Sequence, residues 1–391
     1  MRSIGAAAWN RPAVRIACFA VLFRIVSAVL AFFANIVFPL YQREQFTMFG
    51  RSSAFWDPFV RYDTGWYYGI ARAGYDAAPA MAGGRANIAF FPIYPLLMRY
   101  VGRSLGRAPS DFYLAGIVVA WVSFVLASIA LFYLARLDLP RRLAERAVLL
   151  SAIFPFAFFF GVAYSESTFL LFTVLAFYLF RTRRWVLGGL CGAVATATRV
   201  NGIMMWPALA WIAWRTAEPT GRDRVWAAGG LMLAAGGFGA YCLYIYDQSG
   251  NPFLWAVALT RWGYHPGGAP WTAHVHLFQM LFTHPYRYLA GDHLAPYDTL
   301  NGVTAALFVM VTPFAWRRLG AGYGLFMLMN LCLPLSSGSF EGMGRYCAVM
   351  FPGVIWLAGV RSRVVSTTVV VLFAMLYTLC LAMFVTIRPL F

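Results

Sequence analysis

The chain contains no lysine. All 31 of its basic residues are arginine, set against only 14 acids, which gives a formal charge of +17. The arginines form no single tract. They stand in clusters between apolar runs, which excludes a nucleic-acid surface and leaves topology signals and contact with lipid headgroups. An arginine-only composition points to a GC-rich bacterial genome, and guanidinium is also the better fork for phosphate. Charge as a whole is scarce, at 12% of residues against 61% hydrophobic, and the mean hydropathy of +0.66 excludes an ordinary soluble domain. The six cysteines are scattered, mostly inside apolar runs, without zinc-ligand or C-x-x-C spacing. A disulfide framework and a metal site are therefore not expected. There is no phosphate-cradling Walker loop, no glycine-rich dinucleotide fingerprint, no internal repeat and no low-complexity tract.

What is present is a series of apolar runs near 16–38, 112–135, 146–163, 166–181, 186–199, 202–215, 225–246, 297–316, 320–336, 345–361 and 364–386. Only helices satisfy their own backbone hydrogen bonds in lipid. The pattern predicts an all-α polytopic membrane protein with about eleven transmembrane helices, one membrane domain over 1–391. The run at 16–38 follows Arg2, Arg11 and Arg15. It is long enough for the ~30 Å hydrocarbon core and too long for a signal peptide, so it reads as an uncleaved first helix. The segments within 186–215 are short enough to be tilted or partly re-entrant instead.

Short loops fix orientation through their arginines. Arg136, Arg141, Arg142 and Arg146 flank one loop; Arg181, Arg183 and Arg184 form the next. Arg215, Arg222 and Arg224 follow, then Arg317 with Arg318, and Arg361 with Arg363. With the N-terminus in the cytoplasm, every cluster falls on the cytoplasmic side, as expected of a bacterial inner-membrane protein.

The opposite face carries the remaining polar material. Its first large loop, about 39–111, holds Asp57, Asp63, Asp76 and the strip Phe90-Phe91-Pro92. Its size and aromatic content predict short helices lying in the interface. The second, about 247–296, contains Arg261, His265, His274, His276 and His284, and shorter turns lie at 164–167, 198–202 and 336–346. Nearly every polar cluster able to do chemistry therefore shares one membrane face, so these loops form the expected active-site face.

Asp63 heads the candidates. It stands in Arg61-Tyr62-Asp63-Thr64-Gly65-Trp66-Tyr67, where a carboxylate partly shielded by aromatic rings can accept a proton from an attacking hydroxyl. The plainer alternative is a loop aspartate that makes a turn or cap. Asp57 is a rival acid, although Asp57-Pro58 also starts a turn. Glu166 lies between two apolar runs, where an acid is costly without a partner; the alternative is a carboxylate neutralising amides at a helix N-terminus. Arg199, with Asn201 nearby, needs a partner too, either Glu166 or a lipid phosphate. Arg345, beside Tyr346, suits bidentate phosphate binding or snorkelling to the interface. His265 with Arg261 is a weaker version of the same idea. Arg61, Trp66, Tyr67 and Tyr346 complete the candidate binding set.

The blocks at 61–63, 89–99, 164–167, 198–202 and, more loosely, 344–346 resemble in this order the GPI mannosyltransferase 2 (PIG-V) family of membrane glycosyltransferases, with its bacterial relatives. The family's Arg-Trp-Asp falls on Arg61-Tyr62-Asp63, with tyrosine in place of tryptophan. Gly65-Trp66-Tyr67 stands where eukaryotic members are more polar, a departure that bears on the acceptor. The resemblance implies a C-type membrane glycosyltransferase fold (GT-C) and inverting transfer of a hexose, mannose in the family, from a polyprenyl-phosphate donor. Asp63 is then the base and the arginines hold the lipid phosphate. The acceptor is a glycolipid, glycan or protein, and no cofactor is implied because the lipid-linked sugar is a substrate. A secondary transporter or lipid flippase is the alternative, but it calls for mid-bilayer charges and repeated halves. A non-catalytic envelope subunit is a third reading.

Overall fold

A computed structural model describes residues 11–41, 53–76, 86–265, 267–290, 296–388 and 390. The expectation of interfacial helices at 42–52 and 77–85 lies outside the described residues. The helices run α1 (Pro12–Val37), α2 (Thr64–Ala73), α3 (Ile93–Leu105), α4 (Pro109–Ala135), α5 (Arg141–Ile153), α6 (Glu166–Arg181), α7 (Trp185–Thr196), α8 (Trp206–Thr216) and α9 (Gly221–Ser249). They continue as α10 (Leu254–Thr260), α11 (Thr272–Thr283), α12 (Pro285–Ala290), α13 (Pro296–Leu319), α14 (Ala321–Leu335), α15 (Met343–Ala348), α16 (Phe351–Ala358) and α17 (Arg363–Val385). Among the described residues there is no strand.

Each apolar run holds helix, but the runs are not equal. Among the described residues five helices, α1, α4, α9, α13 and α17, have the length and hydropathy to cross a membrane. Others are short. The 12 residues of α7 reach about 18 Å at 1.5 Å per residue, well under the ~30 Å hydrocarbon core. Shortness goes with interior position in α6, where Phe169, Val174, Ala176, Phe177 and Phe180 are all shielded by neighbours. A helix that is apolar all round belongs there.

Local chemistry sets the ends. Pro12 and Pro109 sit in first turns, where a missing N–H costs nothing. Asp111 accepts the Ala108 amide at 2.8 Å, and α9 stops at Gly250 in the left-handed region, φ 71°. The α7–α9 crossing depends on small residues, as membrane helix contacts do. A Cβ added at Gly237 would lie 1.8 Å from the Ala193 carbonyl oxygen. At this crossing the Thr196 hydroxyl donates to the Ala234 carbonyl at 2.9 Å, fixing the turn that presents Arg199.

The short helices of the first large loop are packed into the bundle. Tyr67 of α2 and Tyr94 and Met98 of α3 are buried, and the Tyr94 hydroxyl donates to the Gly116 carbonyl of α4 at 2.9 Å. Arg99 caps the end of α2, donating to the carbonyls of Ala71 at 2.6 Å and Ile70 at 2.8 Å.

The expected arginine clusters meet at one end of the bundle. Arg181 pairs with Asp138, and Arg183 pairs with Glu218 and, at 3.0 Å, with Asp223. Arg146 donates to the Val360 carbonyl at 3.3 Å and Arg318 to that of Gly359 at 2.9 Å. Loops far apart in sequence are thus tied together there.

Candidate active site

The other end is organised by four charged side chains. Asp63 occupies the N-cap position of α2, yet its side chain makes no cap hydrogen bond. Its Oδ2 instead accepts from Arg345 Nη1 at 2.8 Å, across 282 residues of sequence. Arg345 Nε donates to Glu166 Oε1 at 2.8 Å, and Arg199 Nη1 reaches the same oxygen at 2.6 Å. Glu166 is fully buried, whereas the side chains of Arg199, Arg345 and Asp63 keep 11%, 11% and 18% exposure. Two carboxylates and two guanidiniums make a neutral set, the condition under which charge can be shielded from water.

The backbone builds this set deliberately. Tyr62 takes a left-handed conformation, φ 51°, rare for a bulky residue. That turn brings the Asp63 amide to the Tyr164 hydroxyl at 3.0 Å, and Tyr164 in turn donates to the Arg61 carbonyl at 3.2 Å. Tyr67 and Ser165 share a hydrogen bond at 3.0 Å. Burial, reinforced by the Glu166 charge, pushes the Tyr67 phenol well up, so it stays a neutral hydroxyl. Arg345 lies over the rings of Phe159 and Tyr164, 4.9 Å from each centroid. It gets there because Gly344 passes against Phe156: an added Cβ would meet that ring at 2.4 Å. The Gly344 amide is held by Asn301 Oδ1 at 2.6 Å. Behind Arg199, Asn201 accepts from its Nε at 3.3 Å and donates to Asn330 at 2.9 Å, both amides fully buried.

Asp63, Arg199 and Arg345 line one cavity of about 120 Å³, with Tyr67, Phe90 and Glu341 among its walls. Trp262, Tyr264 and Tyr346 complete its lining. Trp66 stands behind them, stacked on Phe90 at 5.9 Å and edge-on to Trp262 at 5.1 Å. A second, apolar cavity of about 180 Å³ adjoins the first, with Val200, Leu259, Tyr264 and Tyr346 lining both. Ile203, Met204, Trp255, Leu333 and Pro334 carry it onward as a groove.

The candidate residues therefore divide. Asp63, Tyr67, Arg199, Arg345 and Tyr346 reach the cavity, while Glu166 and Asn201 support them from behind. Arg61 is buried elsewhere and donates to Asn35 at 3.3 Å. Asp57 is also buried, accepting the Ser53 amide at 2.9 Å at the start of a 3-10 turn; burial raises its pKa. His265 is exposed and does not line the cavity. Sequence reasoning missed Tyr264, Trp262 and Asn330. The first two share a turn with His265, and Asn330 is a single polar residue in the apolar run of α14.

The Mannosyltransferase (PIG-V) family matches residues 13–213, a span that includes Asp63, Glu166 and Arg199 but not Arg345. Among curated proteins none matches the chain. Among solved structures, the apo oligosaccharyltransferase of Archaeoglobus fulgidus is similar, with a TM-score of 0.51 and 12% identity over 93% of this chain and 56% of that one. The same enzyme in complex with zinc and sulfate gives 0.50 and 12% over 92% and 53%. The chain thus spans little more than half the length of these structures, and at such identity the likeness is one of fold alone. The family match takes in just over half of the sequence and runs from α1 through the turn that carries Arg199: the chain belongs to the mannosyltransferase (PIG-V) family.

Proposed function

We propose that the protein transfers a hexose, mannose by family, from a polyprenyl-phosphate carrier to a hydroxyl acceptor, on the membrane face away from the cytoplasm. The observation that carries this reading is the apolar groove opening beside Tyr346 into the cavity that holds Arg199 and Arg345. An amphiphile with an isoprenoid chain and a phosphate head fits that sequence of surfaces. A nucleotide sugar uses the arginines but leaves the groove without a role.

Asp63 is the base. It takes the acceptor proton as the acceptor oxygen bonds to the anomeric carbon and the bond from that carbon to the lipid phosphate oxygen breaks. One displacement inverts the anomeric centre. Positive charge gathers on the sugar ring and negative charge on the departing phosphate, where preorganised guanidinium groups are most effective. Arg345 is already held by Asp63 and Glu166. An arriving phosphate competes with Asp63 for Arg345 Nη1, so donor binding loosens the carboxylate that must act next. Glu166 keeps hold of Arg345 Nε and Arg199 throughout. The acceptor is a glycolipid, glycan or protein, and the side chains that meet it at the mouth are those of Trp262, Tyr264 and Phe90.

The test uses purified protein and labelled donors. Transfer from polyprenyl-phosphate-mannose with no transfer from GDP-mannose supports the reading. Efficient use of the nucleotide sugar without a lipid carrier overturns it.

A further inference from the structure

A second amphiphilic surface lies at the arginine-rich end, on the opposite side of the bundle from Asp63. There α1 and α5 border a groove of about 570 Å³. Phe19, Leu22 and Leu149 form its apolar floor, and Arg15, Glu145 and Arg146 stand at its rim. The rim is not neutral. Glu145 Oε1 is shared by Arg141 at 3.1 Å and Arg15 at 3.5 Å. Arg146 has no carboxylate in the set; its Nη1 donates to the Val360 carbonyl at 3.3 Å, and its buried Nε has no hydrogen-bond partner. Three guanidiniums against one carboxylate leave two positive charges at the mouth.

Depth agrees with this charge. The 26 residues of α1 extend about 39 Å at 1.5 Å each, longer than the ~30 Å core, so its first turn, with Arg15, stands at headgroup level. Below it Leu22 is 61% exposed, so the groove opens on the lipid side. An apolar channel between helices with a basic rim at headgroup depth is the surface an anionic lipid fits.

We propose that this groove binds one anionic phospholipid, its acyl chain along Phe19, Leu22 and Leu149 and its phosphate between Arg15 and Arg146. The excess positive charge at the rim is thereby neutralised. The site is independent of the transfer reaction and of which face of the membrane holds it.

The probes are phosphatidylglycerol, phosphatidylcholine and inorganic phosphate, added separately to the purified, delipidated full chain in detergent. Phosphatidylglycerol is expected to raise the melting temperature by about 2–5 °C, and native mass spectrometry to show one retained lipid. Phosphatidylcholine and inorganic phosphate leave both readouts unchanged. The Arg15→Gln/Arg146→Gln variant loses the shift, whereas Arg222→Gln/Arg224→Gln keeps it. If the first variant does not fold, Leu149→Trp fills the floor without touching the charges and also abolishes lipid retention. Equal stabilisation by phosphatidylcholine overturns the proposal, as does an equal shift from inorganic phosphate. So does lipid retention that survives Leu149→Trp.

Discussion

The two ends of this bundle use the same chemistry for different ends. At one, Arg183 pairs with Glu218 where both side chains are open to water, 37% and 54% exposed. At the other, Arg199 and Arg345 meet at a Glu166 that water does not reach. Exposed pairs are screened and contribute little. A buried set is different: its members depend on one another, because any one left alone is an uncompensated charge in a poor solvent. The exposed network ties loops together. The buried one holds the two guanidiniums in place beside the cavity, as the proposed reaction needs at the departing phosphate.

Removing one carboxylate from each end separates these roles most sharply. Glu166→Gln keeps an acceptor oxygen but removes the negative charge that Arg199 and Arg345 share, at a cost of about 3–5 kcal/mol, seen as a large fall in melting temperature. Glu218→Gln leaves the melting temperature unchanged, because Arg183 retains Asp223 at 3.0 Å and water solvates the rest. Equal effects at the two ends break the comparison.

Within the buried set, the members differ in kind. Asp63 is the outermost carboxylate and Arg345 keeps Glu166 without it. Asp63→Asn is therefore expected to lower turnover by ~100-fold or more with little change in thermal stability. Asp57→Asn, whose carboxylate holds a turn instead of the cavity, keeps near-normal turnover once folded. The opposite pattern assigns the base to Asp57.

Arg345→Lys is the milder change. Lysine keeps the charge but cannot span Asp63 and Glu166 with a planar fork. The loss of one charge-assisted hydrogen bond, about 1.5–3 kcal/mol, raises KM for the lipid donor by ~10- to 100-fold. Stability falls less than in Glu166→Gln. A fall in expression with an unchanged donor KM assigns Arg345 to the scaffold instead.

How far these ends are legible in the sequence follows from what each residue stands against. In so apolar a chain, Asp63, Glu166, Arg199 and Arg345 are conspicuous by type, and the arginine clusters by position. Their pairing is not legible, since Arg345 meets Asp63 only when α15 folds back onto the start of α2. The partner of Arg199 stays ambiguous for the same reason: glutamate and phosphate present the same oxygens. Aromatic residues mislead in the other direction. Tyr67 and Tyr94 suggest an interface, and composition alone does not distinguish a ring facing lipid from one facing protein. His265 attracts attention as a titratable group, yet its neighbours Trp262 and Tyr264 line the cavity by shape.

The smallest perturbation asks which solvent each end faces. Asn251 lies at the cavity end, just past the left-handed Gly250, and Arg142 lies at the arginine-rich end; both are exposed. In a background where Cys18, the exposed native thiol, is alanine, neither Asn251→Cys nor Arg142→Cys removes a buried contact, so activity and stability stay near those of the parent. Their labelling does not. A membrane-impermeant thiol reagent on intact spheroplasts is expected to modify the cysteine at 251 and to spare that at 142 until the membrane is opened, because positive loops are retained in the cytoplasm. The reverse pattern places the buried set and its groove on the cytoplasmic side, where a nucleotide sugar is available, and removes the reason for a lipid-carried donor.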